Sequence, residues 1–266
     1  MMNQRDQPYL ETFLQPIRSC ANYRPKFGQG QGGGVSLSQF KTLYGRDQFY
    51  TWIGLDADLM YAAHRAAGGM TSIYRQVGIG CERLFRAILV DAADYADPET
   101  ANWAYTTQTP SGENKKLSLD GRLELSLIRN AQVQSNVQTW IEAYCRRLAE
   151  VRQPDSGLVF EVRQGYKSKD SKRQRADLDN ATVAWANGYL PVFAIFSAQI
   201  DSDIVLRYRN NRCGILIGTM DEDSQLSLYA FCQQVLGYDL AGFFARNAET
   251  IRAEISGVLK TLLSAT

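Results

Sequence analysis

The chain has 266 residues, of which 45% are hydrophobic, so it can bury a full core in one large domain or in one domain with a helical appendage. Its formal net charge of +1 gives no overall attraction to nucleic acids or membranes, so such binding must depend on local clusters of charge. No apolar run approaches the roughly eighteen residues of a membrane span, and the N-terminal residues carry charges where a signal peptide has an apolar core. We therefore expect a soluble, cytoplasmic protein with no membrane segment.

Histidine and cysteine restrict the possible chemistry. His64 is the single histidine, which excludes Ser-His-Asp hydrolysis, histidine-metal nucleases and HExxH zinc chemistry, because each needs histidine beside specific partners. We interpret His64 as an ordinary helix residue. The five cysteines are scattered and form no C-x-x-C pair, which predicts reduced, partly buried thiols. Catalysis must then depend on carboxylates, lysine, arginine and water.

The first part of the chain is predicted to be helical. Residues 22–35 are rich in glycine, which indicates a flexible segment after an N-terminal helix. Small and apolar residues recur at helical spacing from Leu55 to Val77, and Gly68 and Gly69 are expected to break this pattern. An amphipathic helix follows in "GIGCERLFRAILVDAADY", with Glu82 within its first turns.

Strands and helices then alternate. "NWAYTTQTP" and "LSLDGRLEL" are predicted strands, and the second carries Asp120. A helix is expected over residues 127–151, then the strand "LVFEVRQ", a helix with Asp170 or Ser171 as its N-cap, and the buried central strand "LPVFAIFSA". We expect two strands around Asn210-Asn211 in "IVLRYRNNRCGILIG", and helix from residue 224 to residue 263.

This order of elements predicts an α/β fold in which helices flank a central mixed β-sheet, with N- and C-terminal helical additions. Residues 1–77 would form the N-terminal helical region with the glycine-rich segment. Residues 78–223 would form the α/β core, and residues 224–266 a C-terminal helical layer. We expect these three parts to make one compact domain.

Two carboxylates are the candidate metal ligands. Asp120 and Glu161 lie on predicted strands about forty residues apart with one helix between them, so they can converge if the strands are neighbours. Two hard oxygen ligands that leave room for water and phosphate suit Mg²⁺, which can polarise a phosphate and activate water. Alternatively, Asp120 belongs to a solvated turn and Glu161 points outward from an edge strand. Apolar neighbours of Glu161 weigh against that alternative, because an unpaired buried carboxylate is costly.

The segment directly after Glu161 carries dense positive charge. Six lysines and arginines fall within thirteen positions: Arg163, Lys167, Lys169, Lys172, Arg173 and Arg175. Such a segment can contact phosphates and release counterions, while Gln164, Tyr166 and Gln174 can contact sugar, phosphate or base edges. The alternative is a solvated turn before a helix. Residues 207–214 form a second, weaker basic patch.

Together these parts resemble the PD-(D/E)XK nuclease superfamily, particularly the type II restriction endonucleases. The matching segments cover about residues 78–200: "GCERLFRAIL", "LSLDGRLEL", "FEVRQ", "SKRQRADLDNATVAWA" and "LPVFAIFS". The resemblance implies Asp120 and Glu161 as metal ligands and Glu82 as a supporting carboxylate. Arg163 stands at the place of the family's lysine. Asp155, in the literal "PD" pair, is a competing candidate, but we favour Asp120 because few residues separate Asp155 from Glu161.

The resemblance implies a Mg²⁺-dependent endonuclease that hydrolyses phosphodiester bonds at a specific site in double-stranded DNA. A homodimer is expected, because palindromic sites have two-fold symmetry. The alternative is a non-catalytic DNA-binding or regulatory protein on a degenerate nuclease fold, because Arg163 replaces the lysine. A third possibility is a helical scaffold whose basic segment binds a protein partner.

Overall fold

The computed structural model describes residues 6–26, 34–108, 113–148, 153–166 and 171–263. None of its helices within those ranges is long and apolar enough to cross a membrane. The α-helices are α1 (Asp6–Arg18), α2 (Leu37–Tyr44), α3 (Gln48–Trp52), α4 (Asp58–Ala93), α5 (Ala131–Arg147), α6 (Ser171–Ala186), α7 (Ser202–Asn210), α8 (Leu228–Gln234) and α9 (Leu240–Leu263).

The strands form two sheets, and the larger one is mixed. Antiparallel β1 and β2 make a two-stranded ribbon, whereas the four-stranded sheet has the order β3-β4-β5-β6. Within it β3 and β4 are antiparallel, and β4, β5 and β6 are parallel. The strands are β1 (Trp103–Gln108), β2 (Asn114–Leu119), β3 (Gly121–Glu124), β4 (Gly157–Arg163), β5 (Tyr189–Ile195) and β6 (Gly214–Ile217).

Helices flank the four-stranded sheet, which confirms the predicted mixed sheet of an α/β fold. On one face, Phe160 of β4 contacts Phe85 of α4 and Phe231 of α8, with ring centroids 5.0 and 5.9 Å apart. On the other face, Phe193 of β5 stacks on Tyr208 of α7 at 4.3 Å. Both inner strands are buried along nearly their whole length, as expected for parallel strands covered on both faces.

The chain divides into two compact units. One unit comprises the residues up to Gly80 together with those from Arg246 onward, and the other comprises Cys81–Ala245. The first unit contains a small apolar cluster of Cys20, Ile73, Val258 and Leu262. The second unit contains both sheets. The divisions at residues 80 and 245 differ from the expected 77 and 223, because α8 and the start of α9 belong with the sheet.

Two predictions of secondary structure are wrong. Gly68 and Gly69 do not break a helix, because α4 runs through both of them as one 36-residue helix. A Cβ atom would collide with the Tyr23 hydroxyl at Gly68 and would lie within 2.9 Å of Leu262 at Gly69. These glycines therefore permit close packing of neighbouring segments rather than marking a turn.

The region before β6 is the second correction. Residues 202–210 form helix α7 rather than a strand, since Ile204 and Tyr208, four positions apart, are both buried on one helix face. Asp201 caps this helix by accepting a hydrogen bond from the backbone N–H of Asp203. The expected N-caps of α6 are Asp170 and Ser171. Ser171 is the first residue of that helix, whereas Asp170 lies outside the described residues, as do residues 27–33 of the glycine-rich segment.

Candidate active site

Asp120 lies between two strands rather than inside one. It occupies the bend between β2 and β3, directly before Gly121, which pairs with Phe160 of β4. Its backbone N–H donates to the Phe160 carbonyl at 2.8 Å. Its carboxylate oxygen Oδ2 accepts a hydrogen bond of 2.8 Å from the backbone N–H of Val162. The antiparallel pairing of β3 with β4 thus fixes the Asp120 carboxylate beside Glu161.

The competing carboxylate, Asp155, lies just before the other end of β4. It precedes the first residue of β4, Gly157, and accepts a hydrogen bond of 3.3 Å from the Ser156 hydroxyl. Six residues at about 3.3 Å each separate it from Glu161 by roughly 20 Å along an extended strand. The structure therefore brings Asp120 to Glu161 and does not bring Asp155 there.

Arg163 lies among the acidic side chains. Its Nη1 pairs with the Glu161 carboxylate, and its Nη2 contacts Oδ1 of Asp177 at 3.1 Å. The distance from Nη1 to Oδ2 of Asp120 is 4.0 Å, and the Arg163 side chain is only 13% exposed. Burial alone would lower the pKa of Arg163, but these three carboxylates outweigh burial and raise it above its ordinary value. The guanidinium is therefore a permanent positive charge within the cluster.

Asp177 is a member of the site that sequence reasoning missed. It is 4% exposed on the inner face of α6. Its Oδ2 lies 2.8 Å from the Tyr208 hydroxyl and 3.1 Å from the Tyr166 hydroxyl. The two hydroxyl oxygens lie 2.7 Å from each other. Tyr166, which the sequence indicated as a nucleic-acid contact, is buried in this network instead. The buried face of α6 consists of Gln174, Asp177, Ala181 and Ala184, and two of these four residues are polar, so hydrophobic periodicity does not reveal it.

The pKa values of the two central carboxyl groups, Asp120 and Glu161, are both raised. Burial, followed by the charge of Asp120, raises the pKa of Glu161 to about 8, although Arg163 opposes the shift. Burial also raises the pKa of Asp120, while the Val162 hydrogen bond and the charges of Arg163 and Arg86 oppose this. Burial is the largest cause of both shifts, and the positive charge of Arg163 does not outweigh it.

Glu82 of α4 lies within electrostatic reach of this pair. Burial and then the charge of Asp120 raise the pKa of the Glu82 carboxyl group, and Arg163, Arg86 and Arg173 oppose the shift. Arg86, one turn farther along α4, donates from Nε to the backbone carbonyl of Asp120 at 2.8 Å. Glu82, the expected supporting carboxylate, therefore lies on the helix that contacts the Asp120 backbone, and three arginines act on it electrostatically.

The structure describes part of the basic segment. Lys172, Arg173 and Arg175 are exposed in the first turns of α6, and Gln164 is partly buried after β4. Lys167 and Lys169 lie outside the described residues. In the second basic patch, Arg207 donates to the side-chain oxygen of Gln174 at 2.7 Å. This contact accounts for Gln174, whose side chain is buried rather than available to a ligand.

Space and donor arrangement limit what the site can bind. The cavity beside Glu161 and Asp177 has a volume of about 10 Å³, which is no more than one water molecule needs. Within the described residues, no group of three or more histidine, cysteine, aspartate and glutamate side chains has a metal-holding arrangement. The two carboxylates Asp120 and Glu161 remain a suitable pair for Mg²⁺, which binds through one or two carboxylates with water and phosphate.

Comparison of the chain with protein-family models, with curated proteins and with solved structures found no match.

Proposed function

We propose that the chain is a Mg²⁺-dependent endonuclease, resembling type II restriction enzymes, that hydrolyses phosphodiester bonds at a specific site in double-stranded DNA. The observation that carries this proposal is the hydrogen bond from Val162 to Asp120, which places Asp120 beside Glu161 on neighbouring antiparallel segments. The order of α4, Asp120, Glu161-Val162-Arg163, α6 and β5 matches the order of parts in the PD-(D/E)XK core. We propose that the second unit has this restriction-endonuclease-like core.

Asp120 and Glu161 would hold the metal ion, with Glu82 as the supporting carboxylate. The geometry supports this assignment, because three carboxylates, those of Asp120, Glu161 and Asp177, surround the single guanidinium of Arg163. A bound Mg²⁺ would supply polarisation of the scissile phosphate and an activated water. Arg163 would stabilise negative charge on the phosphate in the transition state, since its guanidinium stays protonated and cannot serve as the base.

Double-stranded DNA is the proposed substrate because positive charge surrounds the carboxylates on an otherwise neutral chain. Arg86 and Arg173 act electrostatically on Glu82, while Lys172 and Arg175 are exposed near them on α6. These side chains would neutralise phosphates on either side of the scissile bond. We propose a homodimer, which matches a palindromic site, and a cytoplasmic location, where the buried free cysteines would remain reduced.

The second candidate function is non-catalytic binding of DNA. It is favoured by the contacts of Arg163, whose guanidinium already forms ion pairs with Glu161 and Asp177. If this ion-pair cluster is permanent, no metal ion can take the place of the guanidinium. The basic segment would then bind DNA without cutting it.

Incubation of the purified full chain with mixed plasmid DNAs, with Mg²⁺ or with EDTA, distinguishes these functions. The endonuclease should produce discrete fragments only with Mg²⁺. DNA binding detected by mobility shift, with no cutting under any metal condition, would support the second candidate. Absence of both binding and cutting would contradict both.

A further inference from the structure

The guanidinium of Arg163 has two acidic partners, which lie on different secondary-structure elements. Glu161 lies on the same strand, β4, and contacts Nη1, whereas Asp177 lies on α6 and contacts Nη2 at 3.1 Å. A single positive charge is therefore shared between a carboxylate of the proposed metal site and a carboxylate outside it. The strength of one contact must influence the other, because the attraction of the guanidinium is divided between them.

Asp177 is itself held in place by two tyrosines. Three short oxygen–oxygen contacts join its Oδ2 and the hydroxyls of Tyr166 and Tyr208. Two hydroxyl protons serve these three contacts, so at least one tyrosine donates directly to Asp177. Tyr208 is fully buried and Tyr166 is 6% exposed. The carboxylate that anchors Arg163 is thus rigid and is oriented by packed side chains on α7 and after β4.

The arrangement of Arg163 also leaves one donor unused. Its Nε is buried and has no hydrogen-bond acceptor among the described residues. A buried donor without an acceptor is unfavourable. Glu161, Asp177 and a 3.3 Å hydrogen bond from Nη1 to the Val162 carbonyl place the guanidinium, although its hydrogen bonds are not all satisfied.

We infer that Asp177 is a positioning residue that draws the Arg163 guanidinium partly away from Glu161, and thereby sets how tightly Asp120 and Glu161 bind Mg²⁺. This inference rests on the proposed function. Arg163 acts as an internal counter-ion that competes with the metal ion for Glu161. Asp177, supported by Tyr166 and Tyr208, weakens that competition by sharing the guanidinium.

Substitutions of Arg163 and of Asp177 should change the affinity for the metal ion in opposite directions. Arg163→Gln removes the competing charge, so metal should bind about 10- to 100-fold more tightly, the usual range for partners just outside the ligand shell. Asp177→Asn removes the anchor and leaves the guanidinium to Glu161, so metal should bind more weakly by a similar factor. In the Arg163→Gln background, Asp177→Asn should lose most of its effect, because it acts through Arg163.

The experiment measures binding of Mn²⁺ by electron paramagnetic resonance, with competition by Mg²⁺, to the full chain without DNA. Folding of each variant is checked by circular dichroism. Tyr105→Phe is the matched control, because it removes a hydrogen bond of 2.7 Å to Asn180 of α6 without changing charge. If Asp177→Asn fails to fold, Tyr166→Phe with Tyr208→Phe replaces it. That pair removes the hydrogen bonds that hold Asp177 in place, and should weaken Mn²⁺ binding.

Glu161→Gln separates failure of the inference from failure of the proposed function. If wild type binds Mn²⁺ and Glu161→Gln does not, the proposed site stands. Unchanged affinity in Asp177→Asn, or an equal effect of Asp177→Asn with and without Arg163, would then overturn the inference alone. Absence of Mn²⁺ binding by wild type, or unchanged binding in Glu161→Gln, would overturn both.

Discussion

Asp120 reaches across from the edge of β3 and accepts a 2.8 Å hydrogen bond from the backbone N–H of Val162. This bond joins the bend after β2 to the centre of the E-x-R segment, and it leaves the second oxygen of the Asp120 carboxylate for another ligand. The position of Asp120 therefore depends on the strand pairing and not on a flexible side chain. Variants at this pair test the proposed function most directly.

Asp120→Asn and Glu161→Gln should each abolish Mg²⁺-dependent cleavage while the fold is retained, because each removes a ligand charge with little change in volume. The cleavage rate should fall by more than the factor of about 10 to 100 that is typical of substitutions outside the ligand shell. Single-turnover cleavage with saturating enzyme measures it. Asp155→Asn, at the other end of β4, is the control and should cleave like wild type. Full activity in either ligand variant would remove that residue from the metal site.

Replacement of Arg163 by lysine should increase the cleavage rate. A lysine ammonium is a compact charge that cannot contact Glu161 and Asp177 together in the way that the guanidinium does, and it can handle a proton whereas arginine cannot. We expect Arg163→Lys to cleave at least about tenfold faster, without tighter DNA binding. An unchanged rate in Arg163→Lys, with loss of cleavage in Lys167→Met or Lys169→Met, would assign the proton-handling role to that lysine.

The exposed basic side chains of α6 should control how DNA affinity depends on salt. Replacing Lys172, Arg173 and Arg175 together by glutamine should weaken binding and reduce the slope of log K against log salt by about 0.9 per lost phosphate contact. Fluorescence anisotropy with duplex DNA at several salt concentrations measures this slope. As a control, replacement of Arg24, Lys26 and Arg46 by glutamine removes the same amount of positive charge from the first unit. Equal slopes for the two triple variants would show that α6 does not contact phosphate.

The raised pKa of Glu161 predicts a pH dependence of stability. Between its ordinary pKa and about 8, the folded chain keeps a proton that the unfolded chain releases, so this group's contribution to stability falls as pH rises. Glu161→Gln cannot lose that contribution. Its free energy of unfolding should therefore increase relative to wild type as pH is raised from about 5 to about 9, as measured by urea unfolding. Glu249→Gln is the control for loss of one exposed carboxylate. A constant difference across pH would contradict the assigned shift.

Two glycines of α4 should respond oppositely to alanine. Gly68→Ala should lower the free energy of unfolding by about 1–3 kcal/mol, because the added Cβ collides with Tyr23. Gly78→Ala should raise it by up to about 1 kcal/mol, since nothing lies within 4 Å of that Cβ and alanine favours the helix. Urea unfolding of both variants checks this. Destabilisation of equal size at both positions would show that α4 is not packed in this way.

The sequence allowed the convergence of Asp120 and Glu161 to be predicted, because apolar runs on either side of one helix identify two strands that can pair. It did not allow the identification of Asp177. Asp177 lies among charged residues in "SKRQRADLD", with exposed Asp179 two positions later. Its burial depends on which face α6 turns toward β5, and contacts between segments that are distant in sequence determine that rotation.

Residues 202–210 were misassigned for a related reason. The segment "SDIVLRYRN" combines β-branched and aromatic residues with alternating polarity, which favours a strand on local grounds. Burial of Ile204 and Tyr208 on one face of α7 overrides this preference. The hydroxyl of Tyr208 then reaches Asp177. Because packing between distant segments determines both the helix and its contact with Asp177, local sequence predicts neither.

The shared guanidinium also has an evolutionary consequence. An arginine at position 163 needs a second acceptor to hold its outer nitrogen, and Asp177 provides it from another element. A lysine at that position would need only Glu161. Among natural variants of this chain, an acidic residue at position 177 should accompany arginine at position 163, and position 177 should vary freely where lysine occurs. Substitutions at these two positions, fourteen residues apart, should therefore arise together.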